Sequence, residues 1–202
     1  KIKEVQPELI GLGGLCTDYA FLRDAIGIIR GVDPKIPVVL GGQIVTNDAD
    51  DVFNLLKPDY AIKGEGEEAI VRLADMIQES QPSLLEIVPG VRDPNKIFNL
   101  LYWNGNILEK TLADYTYKPL DELNIPDYEP FGIQDMIDNY SDFTRLLYRY
   151  SRTHPRPYSI VASRSCPFTC TFCIHGHRDI PYRARSIESI MEEIRVTYEK
   201  YH

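Results

Sequence analysis

Residues 37–42, Pro37-Val38-Val39-Leu40-Gly41-Gly42, join a short β-branched apolar run to a pair of glycines. A run of this kind between Pro and Gly is typical of a buried strand that ends in a tight loop. The pattern occurs twice more, since Leu9–Leu12 precedes Gly13-Gly14 and Tyr60–Ile62 precedes Gly64-Glu65-Gly66-Glu67. The sequence therefore predicts three short strands, each followed by a glycine-rich loop.

Helix-like stretches lie between and after these strands. Apolar residues recur every three to four positions in Tyr19–Arg30, Asp50–Lys57 and Glu67–Gln78, which is the spacing of one buried helix face. Strands and helices that alternate through short loops predict a parallel sheet with right-handed crossovers. We therefore predict an α/β fold, a partial doubly wound (Rossmann-like) domain in residues 1–80. Three strands are fewer than such a domain usually has, so we expect the chain to be a fragment of a longer protein.

The middle of the chain has a different pattern. Ile97–Trp103 and Ile107–Thr111 flank Asn104-Gly105, and this dipeptide is a strong signal for a tight hairpin turn. We interpret residues 81–155 as a connector that contains a β-hairpin.

The last part, residues 156–202, combines a strand, a cysteine loop and a helix. Tyr158–Ala162 is predicted to be the strand, and the cysteine loop follows it directly. Ser186–Tyr201 has the pattern of an amphipathic helix, with Ser186 well placed as its N-cap. This order puts the cysteines at the C-terminal end of a strand, where α/β barrels place their chemistry.

Composition narrows the classes of function. The chain has 202 residues, of which 44% are hydrophobic and 26% are charged, as in an ordinary globular protein. No stretch approaches the roughly 20 apolar residues of a spanning helix, and the N-terminus lacks the apolar core of a signal peptide. The net charge of −8 argues against broad nucleic-acid binding through phosphates. We expect a cytoplasmic protein with no membrane span and no nucleic-acid partner.

The cysteines are concentrated rather than spread over the chain. Three of the four lie in Cys166-Pro167-Phe168-Thr169-Cys170-Thr171-Phe172-Cys173, with the spacing C-x3-C-x2-C. Thiolates are soft ligands that suit zinc or iron–sulfur centres. Since structural zinc sites use four ligands, two alternatives follow. Either the three cysteines hold a [4Fe–4S] cluster with one open iron, or His175 or His177 completes a zinc site in a non-catalytic binding or interaction module. Cys16, outside this loop, is expected to be a small buried hydrophobe.

The cysteine loop and the Arg183-Ala184-Arg185-Ser186 segment after it resemble the radical S-adenosylmethionine enzymes. The resemblance implies that Cys166, Cys170 and Cys173 hold a [4Fe–4S] cluster and that Phe172 lies against the adenine of S-adenosylmethionine. It also implies reductive cleavage of S-adenosylmethionine to a 5′-deoxyadenosyl radical, an electron donor such as flavodoxin or ferredoxin, and an anaerobic setting. Two interpretations of Arg183 and Arg185 stay open: they neutralise a bound anion, or they are surface and helix-entry charges.

The front of the chain resembles the cobalamin-binding domain that precedes the barrel in one subgroup of these enzymes. Pro7–Thr17, Pro37–Gly42 and Asp59–Glu67 carry the resemblance. The D-x-H-x-x-G motif, whose histidine ligates cobalt in many such domains, is absent, and Gly13 stands where serine is often found. We therefore expect cobalamin binding of the full-length protein rather than of this fragment. The residues implied for the cobalamin site are Gly13, Leu15, Thr17, Gly41, Gly42, Glu65 and Gly66.

These resemblances predict three parts: 1–80, the C-terminal part of a cobalamin-binding-like Rossmann domain; 81–155, the connector; and 156–202, the first strand and helix of a radical S-adenosylmethionine barrel. The full-length protein is expected to methylate, cyclise or rearrange an unreactive carbon of a small-molecule substrate. The fragment is expected to be inactive, because a barrel closes only when all its strands are present. The exposed edge of its single barrel strand is expected to favour self-association.

Overall fold

The computed structural model describes residues 1–79, 93–114, 116–140, 155–168, 170–173 and 180–201. These residues form two compact units, one within residues 1–115 and the other within residues 116–202. The division at residue 115 lies between the predicted boundaries at 80 and 155, and the three-part organisation stays a prediction. Within the described ranges, no helix has the length and apolar character that a membrane span requires.

The first unit is built on a five-stranded sheet whose spatial order is the chain order. The first three strands run parallel, and the last two form an antiparallel hairpin beside the third. A parallel arrangement of the first three was predicted from the alternation of strands and helices, and it is confirmed. The strands are β1 (Ile10–Gly13), β2 (Val38–Gly41), β3 (Tyr60–Ile62), β4 (Leu100–Asn104) and β5 (Ile107–Lys110).

Helices cover both faces of this sheet, as in a doubly wound fold. Successive side chains of a strand point to opposite faces, so Val38 and Leu40 pack into one core while Val39 packs into another. The second and third helices bury their apolar sides in the first core, and the fourth helix does so in the second core. The predicted α/β class is therefore confirmed. The helices are α1 (Ile2–Val5), α2 (Tyr19–Val32), α3 (Gln43–Leu56) and α4 (Glu67–Glu79).

Helix α3 begins well before its predicted start at Asp50. Its first residue is Gln43, and a kink at Asp48 (φ −132°, ψ 48°) separates an initial turn from the rest of the helix. The sequence did not predict this turn because of the polar residues before the kink: Asn and Asp compete with helix formation by hydrogen-bonding to nearby backbone groups. The initial turn carries Thr46, which contributes to the site described below.

The predicted hairpin is present, and it also extends the sheet. Its two-residue loop is Gly105-Asn106, and the positive φ of Gly105 (63°) is a conformation that glycine adopts without steric cost. Strand β4 pairs antiparallel with β3, with Leu100 opposite Ile62. The sequence did not predict this pairing, since a turn signal fixes the local partner of a strand but not a distant one.

The described residues of the second unit include two helices, α5 (Ile133–Asn139) and α6 (Ile187–Tyr201), and two short antiparallel strands, β6 (Ser163–Arg164) and β7 (Arg183–Ala184). The prediction of a strand over Tyr158–Ala162 is wrong, because these residues have no regular structure. A strand needs a neighbour to pair its backbone groups, and the only such pairing in the described part of this unit is that of β6 with β7. Helix α6 is confirmed, and its N-cap is Ser186, whose Oγ accepts a 3.1 Å hydrogen bond from Ser189 N.

Candidate functional site

The three glycine-rich loops lie at one edge of the sheet. Because β1, β2 and β3 are parallel, the loops that follow them leave from the same carboxyl-terminal edge, where ligands bind in open α/β sheets. Gly13 and Gly41 are the last paired residues of β1 and β2 and lie opposite each other. The third loop starts after Ile62, the last residue of β3.

The first two loops are in direct backbone contact. Gly42 has a φ of +84°, and a Cβ placed on it would lie 2.9 Å from Gly14 N and 3.0 Å from Gly14 O. Ile44 N donates a 3.1 Å hydrogen bond to Gly14 O. Only glycine combines this φ with so close an approach, so the predicted importance of Gly42 has a physical basis in its packing.

The first loop closes on itself through a carboxylate. Asp18 accepts a 2.8 Å hydrogen bond from Leu15 N, and this bond shapes the single 3₁₀ turn Cys16–Asp18. The Leu15 side chain remains 57% exposed, and Thr17 is exposed as well. The expectation that Cys16 is buried is wrong: its thiol side chain is exposed, as are the residues on either side of it in this turn.

The third loop is fixed from two sides. Gly64, with a φ of +80°, donates from its N to Thr46 Oγ1 at 3.2 Å. Its neighbour Lys63 donates from N to Asn99 O at 3.0 Å. Gly66 O accepts a 2.8 Å hydrogen bond from Ile70 N at the start of α4. Sequence reasoning missed Thr46 and Asn99, because no local pattern marks the partner of a loop amide.

The edge is open where a ligand would approach it. A Cβ on Gly41 or on Gly64 would meet no atom within 4 Å, so the backbone at these two positions is accessible. This openness fits a large flat ligand, because glycine lets such a molecule reach the main chain. The residues predicted for a cobalamin site lie at the last positions of β1 and β2 or on the loops that follow the three strands: Gly13, Leu15, Thr17, Gly41, Gly42, Glu65 and Gly66.

The cysteine loop is an exposed segment of the second unit. Cys166 and Cys170 are exposed and Cys173 is partly buried, and Cys173 N donates a 3.2 Å hydrogen bond to Cys170 O. Phe172 is 89% exposed. Just before the loop, Ser165 Oγ donates to Ile180 O at 2.8 Å.

The three cysteines of this loop are suitable ligands for a thiolate-bound cluster, although their thiols are not grouped as a ligand set in the structure. Among the residues that the structure describes, no three His, Cys, Asp or Glu side chains are grouped as metal ligands. Sites of this kind commonly form as the metal binds, since ligand ordering and metal binding are coupled. His175 and His177, the candidate zinc ligands, lie outside the described residues.

Arg185 is part of a buried ion pair. Its guanidinium bonds to the Glu193 carboxylate and, at 3.0 Å, to Ser189 O, and the two charged side chains are 11% and 3% exposed. Tyr158 Oη donates to Glu193 Oε1 at 3.2 Å. Burial of the Tyr158 phenol raises its pKa, and the nearby charge of Glu193 raises the pKa further. The structure therefore favours a role for Arg185 at the helix entry over the neutralisation of a bound anion.

Residues 117–121 also contact the start of α6. Arg183 donates to Lys118 O at 2.8 Å, and its guanidinium lies 4.7 Å from the centre of the Tyr117 ring. The Asp121 carboxylate accepts a 2.9 Å hydrogen bond from Ser186 N. This bond is the main reason that the pKa of Asp121 is lowered. The segment that leads into α6, which follows the cysteine loop, is thus contacted by three residues of the predicted connector, Tyr117, Lys118 and Asp121.

Comparison with known proteins matches the front of the first unit to a family model. Residues 1–74 match the family model described as the B12 binding domain. All three loops at the open edge, including Glu65 and Gly66, lie within the residues that this family model matches.

Curated relatives match along nearly the whole chain. The anaerobic magnesium-protoporphyrin IX monomethyl ester cyclase of Cereibacter sphaeroides is 24% identical over 96% of this chain and 28% of its own length. An uncharacterized methyltransferase of Pyrococcus horikoshii is 23% identical over 99% of this chain and 39% of its own length. The chain therefore spans well under half the length of these relatives.

Solved structures share the fold of this chain. The radical S-adenosylmethionine methyltransferase TsrM of Kitasatospora setae matches 96% of this chain with a TM-score of 0.61 and 18% identity, over 35% of its own chain. The cobalamin-dependent S-adenosylmethionine radical enzyme OxsB matches 99% with a TM-score of 0.66 and 16% identity, over 25% of its own chain. The resemblance to cobalamin-binding-domain radical S-adenosylmethionine enzymes is thus confirmed.

Proposed function

We propose that the full-length protein is a cobalamin-associated radical S-adenosylmethionine enzyme. In this proposal the chain contributes two cofactor-binding parts, the open edge of the B12-binding domain and the cysteine loop. The observation that carries the proposal is the convergence of three glycine-rich loops on one edge, within the residues that match the B12-binding family. The relatives named for radical S-adenosylmethionine chemistry support the second part.

The open edge is proposed to hold cobalamin by its backbone. Gly41 offers accessible main chain, and Leu15 offers an exposed apolar side chain to the flat face or edge of a corrin. Thr17 and Glu65 add polar groups that suit the amides of such a ligand. The contact of Gly42 with Gly14 holds the first two loops in fixed relation, so little ordering is needed on binding.

The cysteine loop is proposed to hold a [4Fe–4S] cluster through Cys166, Cys170 and Cys173, with Phe172 against the adenine of S-adenosylmethionine. When bound, such a cluster supplies the electron that cleaves S-adenosylmethionine to a 5′-deoxyadenosyl radical, while cobalamin supplies a methyl group or a second reactive centre. The protein's part is to bind and orient. The exposed ring of Phe172 is available for stacking, and Asp121 and Ser186 hold the entry to the following helix.

The reaction class is proposed to be methylation, cyclisation or rearrangement of an unreactive carbon in a small-molecule substrate. The names of the relatives, two of them methyltransferases and one a cyclase, support this range. We further propose an anaerobic cytoplasmic setting and an electron donor such as flavodoxin or ferredoxin. The 202-residue chain by itself is expected to be inactive, because one strand and one helix do not close a barrel.

Anaerobic reconstitution with iron and sulfide tests the cluster. The wild type should become brown and hold about four irons per chain, and Cys170→Ala should lose most of this iron. Cys16→Ala is the matched control, since it removes an exposed thiol outside the loop and should leave the iron content unchanged. A colourless protein that retains zinc would instead support the alternative, a zinc-stabilised non-catalytic binding or interaction module.

A further inference from the structure

The loop after β3, Lys63–Gly66, depends on hydrogen bonds from elements that are distant in sequence. Thr46 Oγ1 accepts the 3.2 Å bond from Gly64 N and donates a 3.1 Å bond to Gly42 O. One hydroxyl therefore connects the second and third loops of the open edge. Gly64 has a positive φ, and no atom lies within 4 Å of where its Cβ would be, so the space on this side of its backbone is open.

Asn99 holds the same loop from the hairpin side. Its carbonyl accepts the bond from Lys63 N at 3.0 Å. Asn99 itself is in the left-handed region (φ 59°), and its side chain is bonded at both ends to Asp114: Nδ2 donates to Asp114 O and Oδ1 accepts from Asp114 N, each at 3.0 Å. A non-glycine residue in this conformation persists where its surroundings fix it, and these two bonds do so.

We propose that Thr46 and Asn99 are positioning residues for a corrinoid at the open edge. Together they fix the backbone of the Lys63–Gly66 loop, and with it Glu65 and Gly66, in the conformation that receives the ligand. This inference rests on the proposed cobalamin function and adds two residues that the sequence resemblance does not include. It also gives the hairpin a role, because Asn99 directly precedes β4.

The physical reason is the cost of ordering a loop on binding. A loop that is fixed before the ligand arrives loses little conformational freedom on binding. A loop that must be ordered on binding has a larger entropy cost, and this cost lowers the affinity for the ligand. Removing the hydroxyl of Thr46 leaves Gly64 N without its partner. We expect a loss of corrinoid affinity of about tenfold, the usual effect of one such hydrogen bond.

The test is an anaerobic titration of the natural full-length protein with hydroxocobalamin, followed by the visible spectrum. The variants are Thr46→Val, which keeps the shape without the hydroxyl, Thr46→Ser, which restores the hydroxyl, and Asn99→Gly, which keeps the positive φ without the side-chain bonds. The matched control is Trp103→Phe. It removes the 2.8 Å bond from Trp103 Nε1 to Pro58 O, which lies at the opposite edge of the same sheet.

We expect Thr46→Val and Asn99→Gly each to weaken hydroxocobalamin binding about tenfold, and Thr46→Ser to return it to within about twofold of wild type. Trp103→Phe should lower the urea midpoint of unfolding but leave the affinity unchanged. In the protein without cobalamin, Thr46→Val should also speed amide hydrogen exchange at Gly64. This last readout does not depend on a bound cofactor.

Two results separate the inference from the function on which it rests. If the wild type binds hydroxocobalamin and Thr46→Val binds it equally well, the positioning role is overturned and the proposed function stands. The same conclusion follows if Trp103→Phe weakens binding as much as Thr46→Val. If the wild type fails to bind hydroxocobalamin, the proposed cobalamin function and the inference are both overturned.

Discussion

Replacing Gly42 with alanine should destabilise the first unit, while the same change at the neighbouring Gly41 should not. Gly42 has φ +84° and ψ −172°, a region that is essentially restricted to glycine and costs other residues about 1–3 kcal/mol. Its added Cβ would also lie 2.9 Å from Gly14 N and 3.0 Å from Gly14 O. Backbone atoms cannot move aside as the end of a side chain can, so overpacking adds about 1–3 kcal/mol.

The expected loss of unfolding free energy is therefore about 3–4 kcal/mol. With a urea slope of roughly 2 kcal/mol/M, the midpoint should fall by about 1.5–2 M. At Gly41, by contrast, a Cβ would meet no atom within 4 Å, and Gly41→Ala should change the free energy of unfolding by no more than about 1 kcal/mol.

Fluorescence of Trp103 provides the assay. It is the only tryptophan of the chain, and its ring centroid lies 4.9 Å from that of Phe53 in the core of the first unit, so its signal reports on this unit. Urea titrations of wild type, Gly42→Ala and Gly41→Ala then give the three midpoints. A Gly42→Ala midpoint within about 0.5 M of wild type would refute the close contact between the first two loops. Equal losses of unfolding free energy in Gly42→Ala and Gly41→Ala would refute the conclusion that the loss in Gly42→Ala comes from the conformation of Gly42.

Two further predictions concern the second unit. Glu193→Ala should lower the free energy of unfolding by about 3–5 kcal/mol, because it leaves the Arg185 charge buried without its partner. Urea unfolding followed by helical circular dichroism should show this loss. The control Glu192→Ala breaks only an exposed ion pair and should change the free energy of unfolding little. For Asp121, the hydrogen bond from Ser186 N lowers the pKa of the carboxyl, so its stabilisation is complete above about pH 4 and is lost as the pH falls through the lower folded value. Asp121→Asn should flatten the acid dependence of helical circular dichroism below about pH 4, and an unchanged acid profile would contradict this role.

The strands and loops of the first unit were predictable because their signals are local. Val38–Leu40 is bounded by Pro37 and by the Gly41-Gly42 pair, and these residues predict both ends of β2 to within one residue, since the strand includes Gly41. Parallel pairing then brings the loops to one edge without further information. The convergence of the proposed cobalamin residues on that edge follows from the order of the elements, while their binding of cobalamin stays a prediction.

Features that depend on distant partners were not predictable. The pairing of β4 with β3 and the bond from Gly64 to Thr46 join residues far apart in sequence, and no local pattern specifies them. The wrong prediction of a strand at Tyr158–Ala162 has the same cause. Apolar composition favours a strand, but a strand forms only where a neighbouring strand pairs with its backbone groups. The sequence likewise left open whether Arg185 neutralises a bound anion or is a helix-entry charge, because no local pattern identifies Glu193 as its buried partner.

The direction of the hairpin has a practical consequence. Strand β4 runs antiparallel to β3, so the tip formed by Asn104–Ile107 points to the edge of the sheet opposite the three glycine-rich loops. All four tip residues are exposed, and tips of this kind tolerate insertions. A fluorophore or short tag placed between Gly105 and Asn106 would therefore label the first unit at a distance from its open edge, so that ligand binding could be followed without blocking the ligand's entry.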